Sequence, residues 1–166
     1  MRRVTCAAAA AIACLVLAVA PARSEGGDDQ AALAGLSEVK VAFDLTNGDG
    51  KALLKQLEVI DETRQSLIKQ GVKPSFVITF RGPATKLVQT DKSQIKPEDR
   101  ESADNIAKKI GALSSADGVA GIEQCGVAVR LAGTKAADVV PGVKVVGNGW
   151  ISLMAYQAKG YGYISP

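Results

Sequence analysis

Hydrophobic and polar positions along this chain change period several times, and each change marks an element. EVKVAFDLT (38–46) alternates apolar and polar residues and is rich in β-branched side chains, the period-two pattern of a strand. NGDG breaks it. KALLKQLEVIDETRQSLIKQG (51–71) then places Leu53, Leu54, Leu57, Ile60, Leu67 and Ile68 largely on one helical face, closed by Gly71. KPSFVITFRG (73–82) reads as a second, strongly apolar strand. PATKLVQTDKSQIKPED is irregular, with a short helix around 85–89, and is the one long loop. A helix over 97–113 follows, with Pro97 near its start and acids in its first turns. GVAGIEQC (118–125) is a third strand, GVAVRLAG (126–133) a short helix, and VKVVGNG (143–149) contains a fourth strand. WISLMAYQAKG (150–160) is a helix, and YGYISP a last short strand or extended tail.

Strands alternating with helices predict βαβ units, hence an α/β domain with a mostly parallel sheet covered on both faces. No internal repeat or heptad pattern interrupts this reading.

The start of the chain follows another rule. Two arginines precede an unbroken apolar run from Ala7 to Ala20, then Pro21, small residues and an acidic, glycine-rich stretch. That order is a secretory signal. The run is shorter than the roughly 20 apolar residues of a membrane span. Cleavage fits best after Ser24 and next best after Ala22. A lipid-attachment site at Cys14 is the weaker reading, because LVLAVA continues the apolar run past it. The expected order is a signal peptide over 1–24, a loose leader with a helical turn over 25–37, and a folded domain over 38–166, in a periplasmic protein. A mature chain of about 140 residues suits one domain with a proper core.

Signal removal changes the charge. The formal +3 becomes neutral, since losing Arg2, Arg3 and Arg23 leaves 17 basic residues against 17 acidic ones. A neutral domain gives no electrostatic case for nucleic acid or an anionic membrane surface. The sequence contains no histidine, which excludes a Ser-His-Asp triad, a Cys-His dyad and His-containing zinc sites. Neither a metal nor a cofactor is expected.

Two glycine-rich turns invite nucleotide or calcium readings and fail them. NGDGK lacks the glycine five residues before Gly50, where Leu45 stands, and its lysine is followed by Ala52. As a calcium loop it would take Leu45 as first ligand. The turn reads as structural, with Asp49 or Asn47 as cap. GNG (147–149) lacks the rest of a dinucleotide fingerprint and reads as a turn capped by Asn148.

Cys125 is the candidate catalytic residue. With Cys6 and Cys14 removed, it is the one thiol left, in a compartment where a lone reachable thiol suggests a reactive or intermolecular role. It closes the third strand and Gly126 opens the next helix, and ligands gather at the carboxyl ends of parallel strands. A thiolate there would face the N–H groups and positive end of that helix, a setting that favours nucleophilic sulfur. Gly126 adds no side chain, so an incoming group could approach closely. The plainer alternative is an inert, buried cysteine. Arg81 would lie near Cys125 if their strands are neighbours, but reads first as a surface arginine beside a turn. Asp44 reads as a cap or turn residue.

QCGVAV, followed by a short helix and DVVPGVKVVGNGWISLMAYQAKGYGYISP, resembles the DsrE/DsrF-like family of sulfur-relay proteins. FRGPATKLV is similar to its strand-then-Gly-Pro segment, and QAKGYGYISP to its usual ending. The resemblance covers residues 38–166. It implies a three-layer α/β/α domain with a mainly parallel five-stranded sheet, assembled as a homo-oligomer, a trimer or hexamer. It also implies a persulfide carried on the cysteine that matches Cys125, with protein thiols or small sulfur compounds as donor and acceptor. The chain departs from the best understood relay members, which are cytoplasmic, by carrying a secretory signal. Two other functions fit the residues: an oligomeric binding or assembly module, with Cys125 structural and Trp150, Tyr156, Tyr161 and Tyr163 at the interface, and a redox-sensing thiol.

Overall fold

A computed structural model describes residues 28–166. The signal peptide expected over 1–24, with Cys6 and Cys14, lies outside the described residues, as do leader residues 25–27. The remaining leader holds a one-turn helix α1 (Gln30–Leu33). The elements that follow are β1 (Glu38–Leu45), α2 (Gly50–Lys69), β2 (Lys73–Phe80), α3 (Arg100–Ser114), β3 (Val119–Cys125), α4 (Gly126–Ala132), β4 (Lys144–Val146), α5 (Gly149–Ala158) and β5 (Gly162–Ile164). The stretch read as irregular is more ordered than its composition suggests. Gly82–Val88 is a 3-10 helix with Pro83 in its first turn, and another short one, Pro97–Asp99, leads into α3.

All pairings within the sheet are parallel, in the order β4-β3-β2-β1-β5. With helices on both faces this is the α/β architecture the alternation predicts, and β5 is a true fifth strand. Strand order explains where the helices go. The chain steps outward from β1 through β2 and β3 to β4, then returns past all of them to pair β5 with β1. Helix α5 makes that return and packs across β3, β2 and β1. Helices α2 and α3 pack together over the other face.

The main core lies on the α2–α3 side. Phe43, Leu45, Phe76, Ile78 and Phe80 meet Leu53, Leu57 and Ile60 of α2 and Ile106 and Ile110 of α3. Alternate strand residues share a face, so this set fixes which side chains turn toward α5: Ala42, Asp44, Val77, Thr79, Glu123 and Cys125. Ile68, expected on the buried stripe of α2, is nearly half exposed. It sits beside the helix end, where Gly71 turns the chain away. Among the described residues no helix is long and apolar enough to cross a membrane.

Candidate functional site

Cys125 is the last residue of β3, as its position in the sequence predicts, and the residue is 4% exposed. The helix that meets it differs from the expected one. Its side chain makes no cap hydrogen bond to α4, although Cys125 occupies the N-cap position there. Instead the Gly149 N–H at the first turn of α5 donates to Sγ at 3.2 Å. The reason is topological: β4 lies next to β3, so the β4–α5 turn arrives directly over the end of β3. Asn148 caps α5 by accepting from the Trp150 N–H at 3.0 Å, which leaves the Gly149 N–H free for the sulfur.

Two glycines make this approach possible. A Cβ on Gly149 would come within 2.8 Å of Arg81 Cδ and 3.0 Å of Cys125 Cβ. A Cβ on Gly126 would stand 2.8 Å from the Val146 carbonyl oxygen. Gly126 therefore admits the chain's own backbone and not, as the sequence suggested, an incoming group. From below, Gln124 Nε2 donates to the Cys125 carbonyl at 3.1 Å and to Thr85 Oγ1 at 3.0 Å. This buried brace ties the Cys125 backbone to the 3-10 turn.

Asp44 is neither a cap nor a turn residue. It is 1% exposed, inside β1, and its carboxylate is the centre of a network. Arg81 grips it with two nitrogens, Nε donating to Oδ1 at 2.8 Å and Nη2 to Oδ2. The Tyr163 hydroxyl donates to Oδ2 at 2.7 Å. Arg81 is correspondingly not an ordinary surface arginine. Its guanidinium lies 5.6 Å from the Trp150 ring centroid, and its stem packs against Gly149. The Asp44 hydrogen bonds hold its pKa above the usual value against the pull of burial, and the carboxylate charge of Asp44 adds to that hold. Arg81 and Cys125 thus share one corner, with Asp44 fixing the arginine.

A second buried carboxylate lies two residues before the cysteine. Glu123 accepts from Ser152 Oγ and, at 3.1 Å, from the Tyr156 hydroxyl, both on α5. No described ion pair reaches it, although Lys144 is its register neighbour on β4. Between the acids, in register with both, sits Thr79, whose hydroxyl has no partner among the described residues. Neither acid nor Thr79 stood out in the sequence as part of a site. The usable signal was polar residues at the inward positions of otherwise apolar strands.

Above Cys125 opens a cleft of about 830 Å3, at the carboxyl ends of β1, β2 and β3. Arg81, Pro83, Leu87, Ile95, Leu131 and Trp150 form its walls, with Lys86 and Lys96 at its rim. Among the described residues no group of three His, Cys, Asp or Glu could hold a metal ion. The aromatic residues divide. Trp150 is 63% exposed at the cleft and Tyr163 is about half exposed, whereas Tyr156 turns to Glu123 and Tyr161 to Ser75. Asp49 caps α2 by accepting from the Ala52 N–H, so NGDG is the structural turn its spacing implied.

No family model matches the chain. An uncharacterized protein of Aquifex aeolicus is 28% identical over 128 residues, covering 77% of this chain and 56% of its own length. The chain thus spans little more than half the length of that curated relative. Among solved structures, a protein of unknown function, MTH1491 from Methanobacterium thermoautotrophicum, superposes with a TM-score of 0.60 at 19% identity. The match covers 77% of this chain and 99% of that one. At that identity the likeness speaks for the fold, and the chain shares an α/β architecture with MTH1491.

Proposed function

We propose that this protein is a sulfur carrier of the DsrE/DsrF-like kind, working in the periplasm after signal removal, with Cys125 as the acceptor of sulfane sulfur. The observation that carries the reading is the place of the sulfur: at the base of a cleft on the carboxyl edge of a parallel sheet, with a helix N-terminal N–H directed at it. Such a site suits a nucleophilic thiolate. The thiolate attacks the outer sulfur of a donor, the bond joining that sulfur to the donor breaks, and the donor departs with the bonding pair. The persulfide on Cys125 then gives its outer sulfur to an acceptor thiolate by the same exchange. Neither half needs an external oxidant.

The test is to incubate the mature protein with thiosulfate or polysulfide and measure its intact mass. A gain of one sulfur atom, lost on reduction and absent in Cys125→Ser, supports the reading. No gain with thiosulfate, polysulfide or an organic persulfide refutes it.

A second reading, an oligomeric assembly module, has its own support. Helix α5 is apolar almost all round, and its outer side exposes Trp150, Ile151 and Met154. Helices of that kind are normally covered. Self-association through this face is compatible with sulfur carriage, and the resemblance implies a trimer or hexamer. Ile151→Glu separates the two readings: a loss of assembly without loss of sulfur loading assigns α5 to assembly alone. The redox-sensor reading requires the Cys125 sulfurs of two copies to meet directly, which their burial opposes more than it opposes a small thiol entering the cleft.

A further inference from the structure

The cleft is much larger than a bare sulfur atom requires. One water occupies about 30 Å3 of liquid, so a small inorganic sulfur anion would leave most of its roughly 830 Å3 empty. The volume falls instead in the range of clefts that enclose organic ligands, about 300–1,000 Å3. Its walls are largely apolar, from Leu87, Ile95, Leu131 and the Trp150 ring. Its charge is positive in excess. The Lys86 and Lys96 ammonium groups make no described hydrogen bond or ion pair, and Arg81 spends Nε and Nη2 on Asp44 while Nη1 has no described acceptor. The single acid in the lining, Asp99, accepts from the Gly50 N–H. A ligand that fills this space must therefore combine an organic body with negative charge and present its reacting sulfur at the base.

We propose that the sulfur donor bound here is an acidic, low-molecular-weight organic persulfide, a peptide-sized R–S–SH bearing carboxylates, held by Lys86 and Lys96 over Cys125. This rests on the sulfur-carrier reading and names the donor class for it. The Cys125 thiolate attacks the terminal sulfur, the donor S–S bond breaks, and R–S⁻ leaves with the bonding pair. The proton on the terminal sulfur stays with it on the new Cys125 persulfide. Leu131, 78% exposed at the mouth, and Trp150 would flank the organic body.

Two measurements test it. The first compares loading of Cys125 by glutathione persulfide and by thiosulfate at equal concentration, followed by intact mass. Loading by the organic persulfide is expected to be faster by about tenfold or more, the worth of a single added 1.4 kcal/mol of recognition. The second uses S-methylglutathione, which cannot transfer sulfur, to protect Cys125 from iodoacetamide. Protection is expected, and the Lys86→Ala, Lys96→Ala double variant should need about fivefold more of the compound, as befits two rim charges. If thiosulfate loads Cys125 as fast and S-methylglutathione gives no protection, this inference falls while the carrier reading stands. If no donor loads Cys125, both fall.

Discussion

On the α2–α3 side of the sheet, β1 and β2 contribute Phe43, Leu45, Phe76, Ile78 and Phe80, and no charged strand residue joins them. The opposite faces of the same strands, with β3, carry Asp44, Thr79, Glu123 and Cys125, all buried beneath a single helix. One side buries apolar area, which stabilises in proportion to the surface removed from water. The other buries groups that cost free energy unless each finds a partner. Partners come from Arg81, Tyr163, Ser152, Tyr156 and the Gly149 N–H, and Thr79 is left without one. The contrast sets a face that stabilises by burial against one that must satisfy its buried polar groups, and the proposed sulfur chemistry belongs to the second.

Substitutions can break that division. The largest effect on stability belongs to the apolar side: Leu57→Ala should cost about 2–5 kcal/mol by urea unfolding. Cys125→Ser should change the same midpoint far less while abolishing sulfur loading. Equal losses of stability in the two variants would erase the distinction. On the polar face, Asp44→Ala strands the Arg81 guanidinium. It should cost toward the lower end of about 3–5 kcal/mol, because Arg81 keeps some contact with water. A cost under about 1 kcal/mol would mean that the pair is incidental. Smallest in size but opposite in sign is Thr79→Val. It removes an unpartnered buried hydroxyl at nearly constant shape, so the variant should be as stable as the parent or up to about 1 kcal/mol more stable. A clear destabilisation would show that the hydroxyl has a partner.

The faces should also fail at opposite ends of the pH scale. Tyr163 is held above the usual tyrosine range by its hydrogen bond to Asp44 and by burial. Tyr156 is raised by burial first and then by the charge of Glu123. Both phenols bind their protons more tightly folded than unfolded. Their contribution is complete below pH about 10, the unfolded value, and is lost as pH rises through the folded one. On the α2–α3 side, burial pushes Asp61 upward, but hydrogen bonds from Arg64 and Lys109 outweigh it and lower the carboxyl below its usual range. Its contribution is present above pH about 3.9 and is lost as pH falls through the lowered folded value. Urea midpoints across pH should show Tyr163→Phe flattening the alkaline decline and Asp61→Asn flattening the acid one. Neither variant should affect the other limb.

What the sequence revealed followed the reach of its signals. Strand periodicity, the Asp49 and Asn148 caps and the position of Cys125 at a strand end are local, and all were legible. Asp44 was not, because its partners lie 37 and 119 residues away and only strand order brings them together. The helix facing Cys125 was misassigned for the same reason. The adjacent helix α4 is next in the chain, but α5 is next in space once β4 has paired with β3. Glu123 was hidden because its partners, Ser152 and Tyr156, sit on a helix whose return path depends on where β5 pairs.

The central claim is that Cys125 both accepts and releases sulfane sulfur. Isotopically labelled sulfur, followed by mass spectrometry from donor to protein to an acceptor thiol, tests it directly. The expected result is label on the Cys125 peptide after the first step, its loss when acceptor is added, and matching gain by the acceptor. Label that never reaches Cys125, or that reaches the acceptor equally fast with Cys125→Ser, would contradict the account.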